Sequence, residues 1–215
     1  MGRDDQTALR PAPASWPEAL DRPALSLTGE IDDEATRDFL DRLREAEEGE
    51  GDLALELTTL GGDAEMARRI VLEIQLAGRR TGRRFLFLGK TAVYSAGVTI
   101  MSAFPRDDRW LTEDTVLLIH CRQLEKTIEL AGPMRASLPR LDSVKAQIET
   151  GLRIEEENFR RLIAGSDISL KEICARAVDN WYLDAAEALR RGLVGGLVPA
   201  EAPRRSSASS MPRGH

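Results

Sequence analysis

Histidine is nearly absent. The 215-residue chain has two, His120 and His215, and the second is its last residue. Any imidazole chemistry in a folded core must therefore use His120. Cysteine is as scarce. Cys121 and Cys174 are too few for a disulfide framework, and each lies in an apolar or amphipathic segment. Buried free thiols in a reducing compartment are expected. No run reaches the roughly 18 apolar residues of a membrane span, so no membrane partner is expected. The opening MGRDDQTALRPAPASWPEALDRP carries charge and proline instead of the apolar core of a signal peptide. A cytoplasmic location is the expectation. Positive charge is not in excess: 30 Lys and Arg stand against 36 Asp and Glu, interleaved, for a net charge of −6. That pattern lacks the basic stripe of a nucleic-acid binder. No cofactor and no metal is expected.

What remains is an ordinary globular composition, 42% hydrophobic and 31% charged. A chain of this size can bury roughly 70% of its unfolded surface. Residues 1–22 read as a flexible arm, with Pro11, Pro13 and Pro17 and few apolar side chains. Residues 199–215 read by composition as a disordered tail. One domain, 23–198, lies between.

That domain alternates strand and helix. ALSLTG (24–29) is a short strand. Residues 32–48 place Ala35, Phe39, Leu40 and Leu43 at helical spacing. Residues 52–60 alternate Leu53, Leu55 and Leu57 with polar or small neighbours, as a strand does. A helix over 63–78 is expected to close at Gly78. Strands follow at 84–89 and 115–120. A long helical pattern fills 124–164, interrupted near Gly132-Pro133 and Pro139. Helices at 169–178 and 184–192 and a strand at 193–198 close the domain. Such alternation predicts an α/β fold with a mainly parallel sheet. Ligands in such sheets sit beyond the carboxyl ends of the strands.

Three features fall on that edge. Gly61-Gly62 ends one strand and opens a helix, where free N–H groups and the helix dipole favour negative charge. Ser95 follows the next strand at a helix start, within TAVYSAGVTIMSAF (91–104). His120 ends the strand after that. A serine hydroxyl needs a base to attack a carbonyl, and imidazole is the usual one. A carboxylate would hold the imidazole tautomer, with Asp179 and Asp184 as downstream candidates. Singly, each feature has a plainer reading: Ser95 as a helix cap, His120 as a core or edge residue, the glycine pair as a turn. Their coincidence on one edge points to acyl transfer.

The order of segments resembles the proteolytic subunit of the Clp protease over residues 23–198. LSLTGEIDDEATRDFLDRL is similar to the family's opening strand and helix. LALELTTLGGDAEMARRI resembles its glycine-pair segment, with Leu60 where the family has proline. VYSAGVTIMSAF matches the Ser-x-Gly spacing of its nucleophile motif, and LTEDTVLLIHC its histidine strand. YLDAAEALRRGLVGGLV resembles its closing element. The resemblance implies a ClpP/crotonase-like spiral of strand–helix units with a helical handle at about 124–164. It implies Ser95 as nucleophile, His120 as general base, and the N–H groups of Gly62 and Ala96 as oxyanion hole. The third residue is left between Asp179 and Asn180. Counting back without a gap from Gly192 gives Asn180, and one inserted residue gives Asp179. The implied function is a serine endopeptidase acting through an acyl-enzyme on peptide or unfolded protein. It would form a homo-oligomeric ring with an ATPase unfoldase as partner. The alternatives are a catalytically impaired structural or regulatory subunit, and a crotonase-like acyl-CoA enzyme holding an enolate at Gly62.

Overall fold

The computed structural model describes residues 16–199. The expected arm up to residue 15, and the expected tail from residue 200 with His215, lie outside the described residues. Residues 16–22 pack onto the sheet. A 3-10 turn at Glu18–Leu20 buries Leu20 against Ala54, Leu86, Leu88 and Trp110.

The elements follow in chain order: β1 (Leu25–Thr28), α1 (Asp33–Glu47), β2 (Leu53–Thr59), α2 (Ala64–Thr81), β3 (Phe85–Tyr94), α3 (Ala96–Met101), β4 (Arg109–Thr112), β5 (Val116–Ile119), α4 (Met134–Leu162), α5 (Leu170–Ala177), β6 (Trp181–Asp184), α6 (Ala185–Arg190) and β7 (Gly196–Val198). The sheet runs β1-β2-β3-β4-β7, and β5 branches from β3 to pair with β6. Every pairing is parallel except β5 with β6. This is the α/β class that strand–helix alternation predicts.

Capping side chains explain where helices start. Asp32 accepts from Ala35 N–H at 2.8 Å, and Asp63 from Glu65 and Met66 N–H at 2.6 and 3.0 Å. Ser169 and Asp184 do the same for α5 and α6. Asp184 is therefore a cap, and its place in a triad is not supported. Helix α2 does not stop at Gly78. Ile70, Ile74 and Ala77 bury a continuous face, and this packing outweighs the roughly 1 kcal/mol cost of an internal glycine. It ends at Gly82, whose φ of 66° makes the left-handed cap.

The helix expected from residue 124 begins only at Met134. Gly132, at φ 102°, and Pro133 break the chain there. Pro139 lies inside α4 and does not interrupt it. Residues 122–131 instead run back beside α4: Lys126 Nζ donates to Gln147 at 3.0 Å and Arg140 to the Glu129 carbonyl at 3.4 Å. Strands β4 and β6, four residues each, were not expected from the sequence.

At 29 residues α4 is about 43 Å long. Its first two thirds expose Met134, Leu138, Leu141, Ile148 and Leu152, while Phe159 and Leu162 are buried in the core. Arg109, only 2% exposed, fastens that end. It donates to the carbonyls of Phe104, Leu162, Leu193 and Arg161 at 2.6–3.1 Å. Burial, with Arg106 nearby, lowers its pKa to about 10, which leaves it a cation at neutral pH.

Strand β3 carries the site across the sheet. Its first half pairs with β4 (Phe87 opposite Arg109) and its second with β5 (Val93 opposite Leu117). Between them Thr91 takes φ 58° and the register to β2 shifts. That bend delivers residue 95 to the end of β5.

Candidate active site

Ser95 occupies a sharp turn between β3 and α3, at φ 53° and ψ −108°. A non-glycine residue held there costs of order 1–3 kcal/mol and persists only where surrounding structure enforces it. Here the Ser95 N–H is fixed to the Leu118 carbonyl at 2.9 Å, and the Ser95 carbonyl takes the Val98 and Thr99 N–H groups. The side chain makes no capping hydrogen bond. The plain reading of Ser95 as a helix cap therefore fails, and its hydroxyl is left for other work. Gly97 explains the Ser-x-Gly spacing: a Cβ there would lie 2.6 Å from Thr59 Cγ2, so glycine lets α3 rest on β2.

The glycine pair sits against this turn. A Cβ on Gly61 (φ 123°) would lie 3.1 Å from Ser95 Cβ and 3.5 Å from Ser95 Oγ. Thr59 Oγ1 fastens the loop, accepting from the Gly61 N–H at 3.0 Å and lying 3.1 Å from the Gly61 carbonyl. Gly62 (φ 145°) is pressed onto Ile31, where a Cβ would meet the Ile31 oxygen at 2.3 Å. The bridge there uses Ile31 N–H to Gly61 O and Asp63 N–H to Ile31 O, at 2.9 and 2.7 Å, and not the Gly62 N–H. Ala96 is the first residue of α3, so its N–H has no intrahelical acceptor. Leu60 is 75% exposed, a surface residue of this loop.

His120 lies one residue past β5, half-buried. It lines one cleft with Ser95, together with Val98, Ile119, Phe159 and Leu162. Its Nδ1 is 2.6 Å from the Cys121 carbonyl. A carbonyl only accepts, so Nδ1 is the donor, and in the neutral ring Nε2 carries the lone pair. No hydrogen bond joins Ser95 Oγ to His120 among the described residues. Such contacts are often long without substrate and tighten in the reacting complex.

Asp179 and Asn180 occupy the turn from α5 to β6. The antiparallel ladder ends where Ile119 pairs with Trp181, and just beyond it the Cys121 N–H binds the Ala177 carbonyl at 3.1 Å, so Asp179 and Asn180 lie past the last ladder pair. Asn180 has φ 61°, and both residues are exposed. Neither donates to nor accepts from His120. The structure thus brings Ser95, His120, Gly62 and Ala96 to one sheet edge and leaves Asp179 and Asn180 unjoined to His120.

Other residues of the cleft were not anticipated. Glu155 and Asn158 of α4 face it, and both are buried. Glu155 accepts from the Arg122 backbone N–H at 2.5 Å, while the Arg122 guanidinium pairs with Glu65. Cys121 is pushed up to about 11 by burial and then by the Glu155 charge, so its thiol stays protonated. A signal for Glu155 was present. Ile148, Leu152, Glu155, Phe159 and Leu162 follow a 4-3-4-3 spacing, so Glu155 is a charge on an apolar seam.

No protein-family model matches the sequence, and no curated protein matches it. Among solved structures, a mutant form of ClpP1 from Listeria monocytogenes is similar at a TM-score of 0.65 and 20% identity. The match covers 84% of this chain and 93% of that one. The chain has a ClpP-like fold. In a ClpP-like frame the serine turn, the glycine loop and His120 all lie at carboxyl ends of strands. Among the described residues no helix is long and apolar enough to cross a membrane.

Proposed function

We propose that the protein is a serine peptidase with Ser95 as nucleophile and His120 as general base. One observation carries the reading. Ser95 stands at a helix start in a strained conformation, makes no cap bond, and shares a cleft with the only histidine of the described chain. In the reaction, His120 Nε2 takes the Ser95 hydroxyl proton as Oγ attacks the scissile carbonyl. The Gly62 and Ala96 N–H groups receive the oxyanion. His120 then returns the proton to the leaving amine, and water attacks the acyl-enzyme by the same path. Peptides or unfolded chains are the substrates, and cytoplasm is the setting. The apolar seam of α4, from Met134 to Leu152, supports assembly into a homo-oligomeric ring that an ATPase unfoldase feeds. Sedimentation of the full chain as a monomer would oppose that assembly.

The test is hydrolysis of short fluorogenic peptides by the full chain. Activity lost in Ser95→Ala supports the reading, and activity retained in that variant sinks it. A second reading, an impaired structural or regulatory subunit, is favoured by one observation: exposed Asp179 and Asn180 make no bond to His120. It predicts assembly without hydrolysis.

A further inference from the structure

The Cys121–Arg122 peptide group is engaged at both ends. Its carbonyl accepts the His120 Nδ1 proton at 2.6 Å, and its N–H donates to Glu155 Oε2 at 2.5 Å. In a trans peptide these two groups point in opposite directions, so one amide lies between imidazole and carboxylate. Glu155 is 7% exposed, and no Lys, Arg or His side chain pairs with it among the described residues. The amide itself is held in place. The Cys121 N–H binds the Ala177 carbonyl at 3.1 Å, and the Arg122 guanidinium is anchored on Glu65.

We infer that Glu155, on α4, is a positioning residue that acts on His120 through the Cys121–Arg122 peptide group, in the role that a directly bonded aspartate fills in a serine triad. The inference rests on the peptidase reading of Ser95 and His120. The physical basis is polarisation along a hydrogen-bond chain. A carboxylate accepting the amide N–H draws the amide proton and leaves more negative charge on the Cys121 oxygen. That oxygen then holds the Nδ1 proton more firmly. Three things follow: the ring is locked with Nε2 facing the cleft, the tautomer is fixed, and positive charge arising on the ring is stabilised from behind. Glu155 is buried and His120 half-buried, so the effect is screened by water less than it would be at the surface. The arrangement also accounts for a ClpP-like site whose Asp179 and Asn180 stand exposed and unbonded to His120. It ties base orientation to α4, so movement of that helix changes the base.

The test uses the full chain and its Glu155→Gln variant, which keeps the size and an acceptor oxygen but removes the charge. Two readouts are taken: the rate of labelling by an alkyl fluorophosphonate, and the neutral His120 tautomer by ¹⁵N NMR, where the only other histidine is His215. The expected result is an Nδ1–H tautomer in the unsubstituted protein, a shift toward Nε2–H in the variant, and labelling about tenfold slower. An Nε2–H tautomer in the unsubstituted protein overturns the inference without any variant. So does a variant that melts lower but keeps both tautomer and labelling rate, since that marks a purely structural residue. Failure of the unsubstituted protein to label refutes the peptidase reading instead, and the tautomer still tests the relay.

Discussion

Replacing Gly61 by alanine puts a methyl group against Ser95, the proposed nucleophile. The new Cβ would sit 3.1 Å from Ser95 Cβ, where carbon atoms prefer about 3.5–4.0 Å. Something must yield by a few tenths of an ångström. The φ of 123° adds about 1–3 kcal/mol of backbone strain. At about 2–4 °C per kcal/mol for a domain of this size, melting should fall by about 2–12 °C. The larger effect is chemical. Misplacing a reacting group by about 1 Å costs on the order of 100-fold in rate, so a shift of a few tenths of an ångström should cost roughly 4- to 10-fold. Gly82→Ala is the control. Its φ of 66° also strains alanine, yet nothing lies within 4 Å, and it caps α2 away from the cleft. It should melt about 3 °C lower and label with fluorophosphonate at the unsubstituted rate. The assay is a labelling time course beside a melting curve for each protein. A folded Gly61→Ala protein that labels within threefold of the unsubstituted rate would refute the placement of this loop against Ser95.

Two further outcomes follow from the same structure. Ser95→Gly removes the hydroxyl and relieves the φ 53° strain, so the inactive variant should melt higher than the parent by about 1 kcal/mol in stability, read by denaturant titration; an unchanged or lower midpoint would show that the turn is unstrained. Arg109→Met leaves four carbonyl acceptors at the base of α4 without their donor, and should cost about 3–5 kcal/mol, read in the same titration; a loss under 1 kcal/mol would show that the buried cation does not fasten that helix.

Periodicity made most helices legible, because their buried faces and capping residues are local. Asp32, Asp63, Ser169 and Asp184 each cap within three residues of themselves. Strand β4 escaped because it opens with Arg109, whose burial depends on carbonyls up to 84 residues away. The start of α4 was misplaced because Gly132-Pro133 is a beginning and not a break within a helix. At the site, Ser95, His120 and the glycine pair could be read from their positions at strand ends. The strain of Ser95 could not, since it arises from the Thr91 bend and the Leu118 carbonyl. Glu155 was visible only as a charge on an apolar seam. Its tie to the peptide after His120 spans 33 residues, and no spacing rule announces it.

The central claim is that Ser95 is an activated nucleophile. The most direct measurement is mass spectrometry of the full chain after treatment with an alkyl fluorophosphonate, with the adduct mapped by fragmentation. The account predicts one adduct per chain, on Ser95, absent from Ser95→Ala and strongly reduced in His120→Ala. An unmodified Ser95, or an equal adduct in Ser95→Ala, would contradict it.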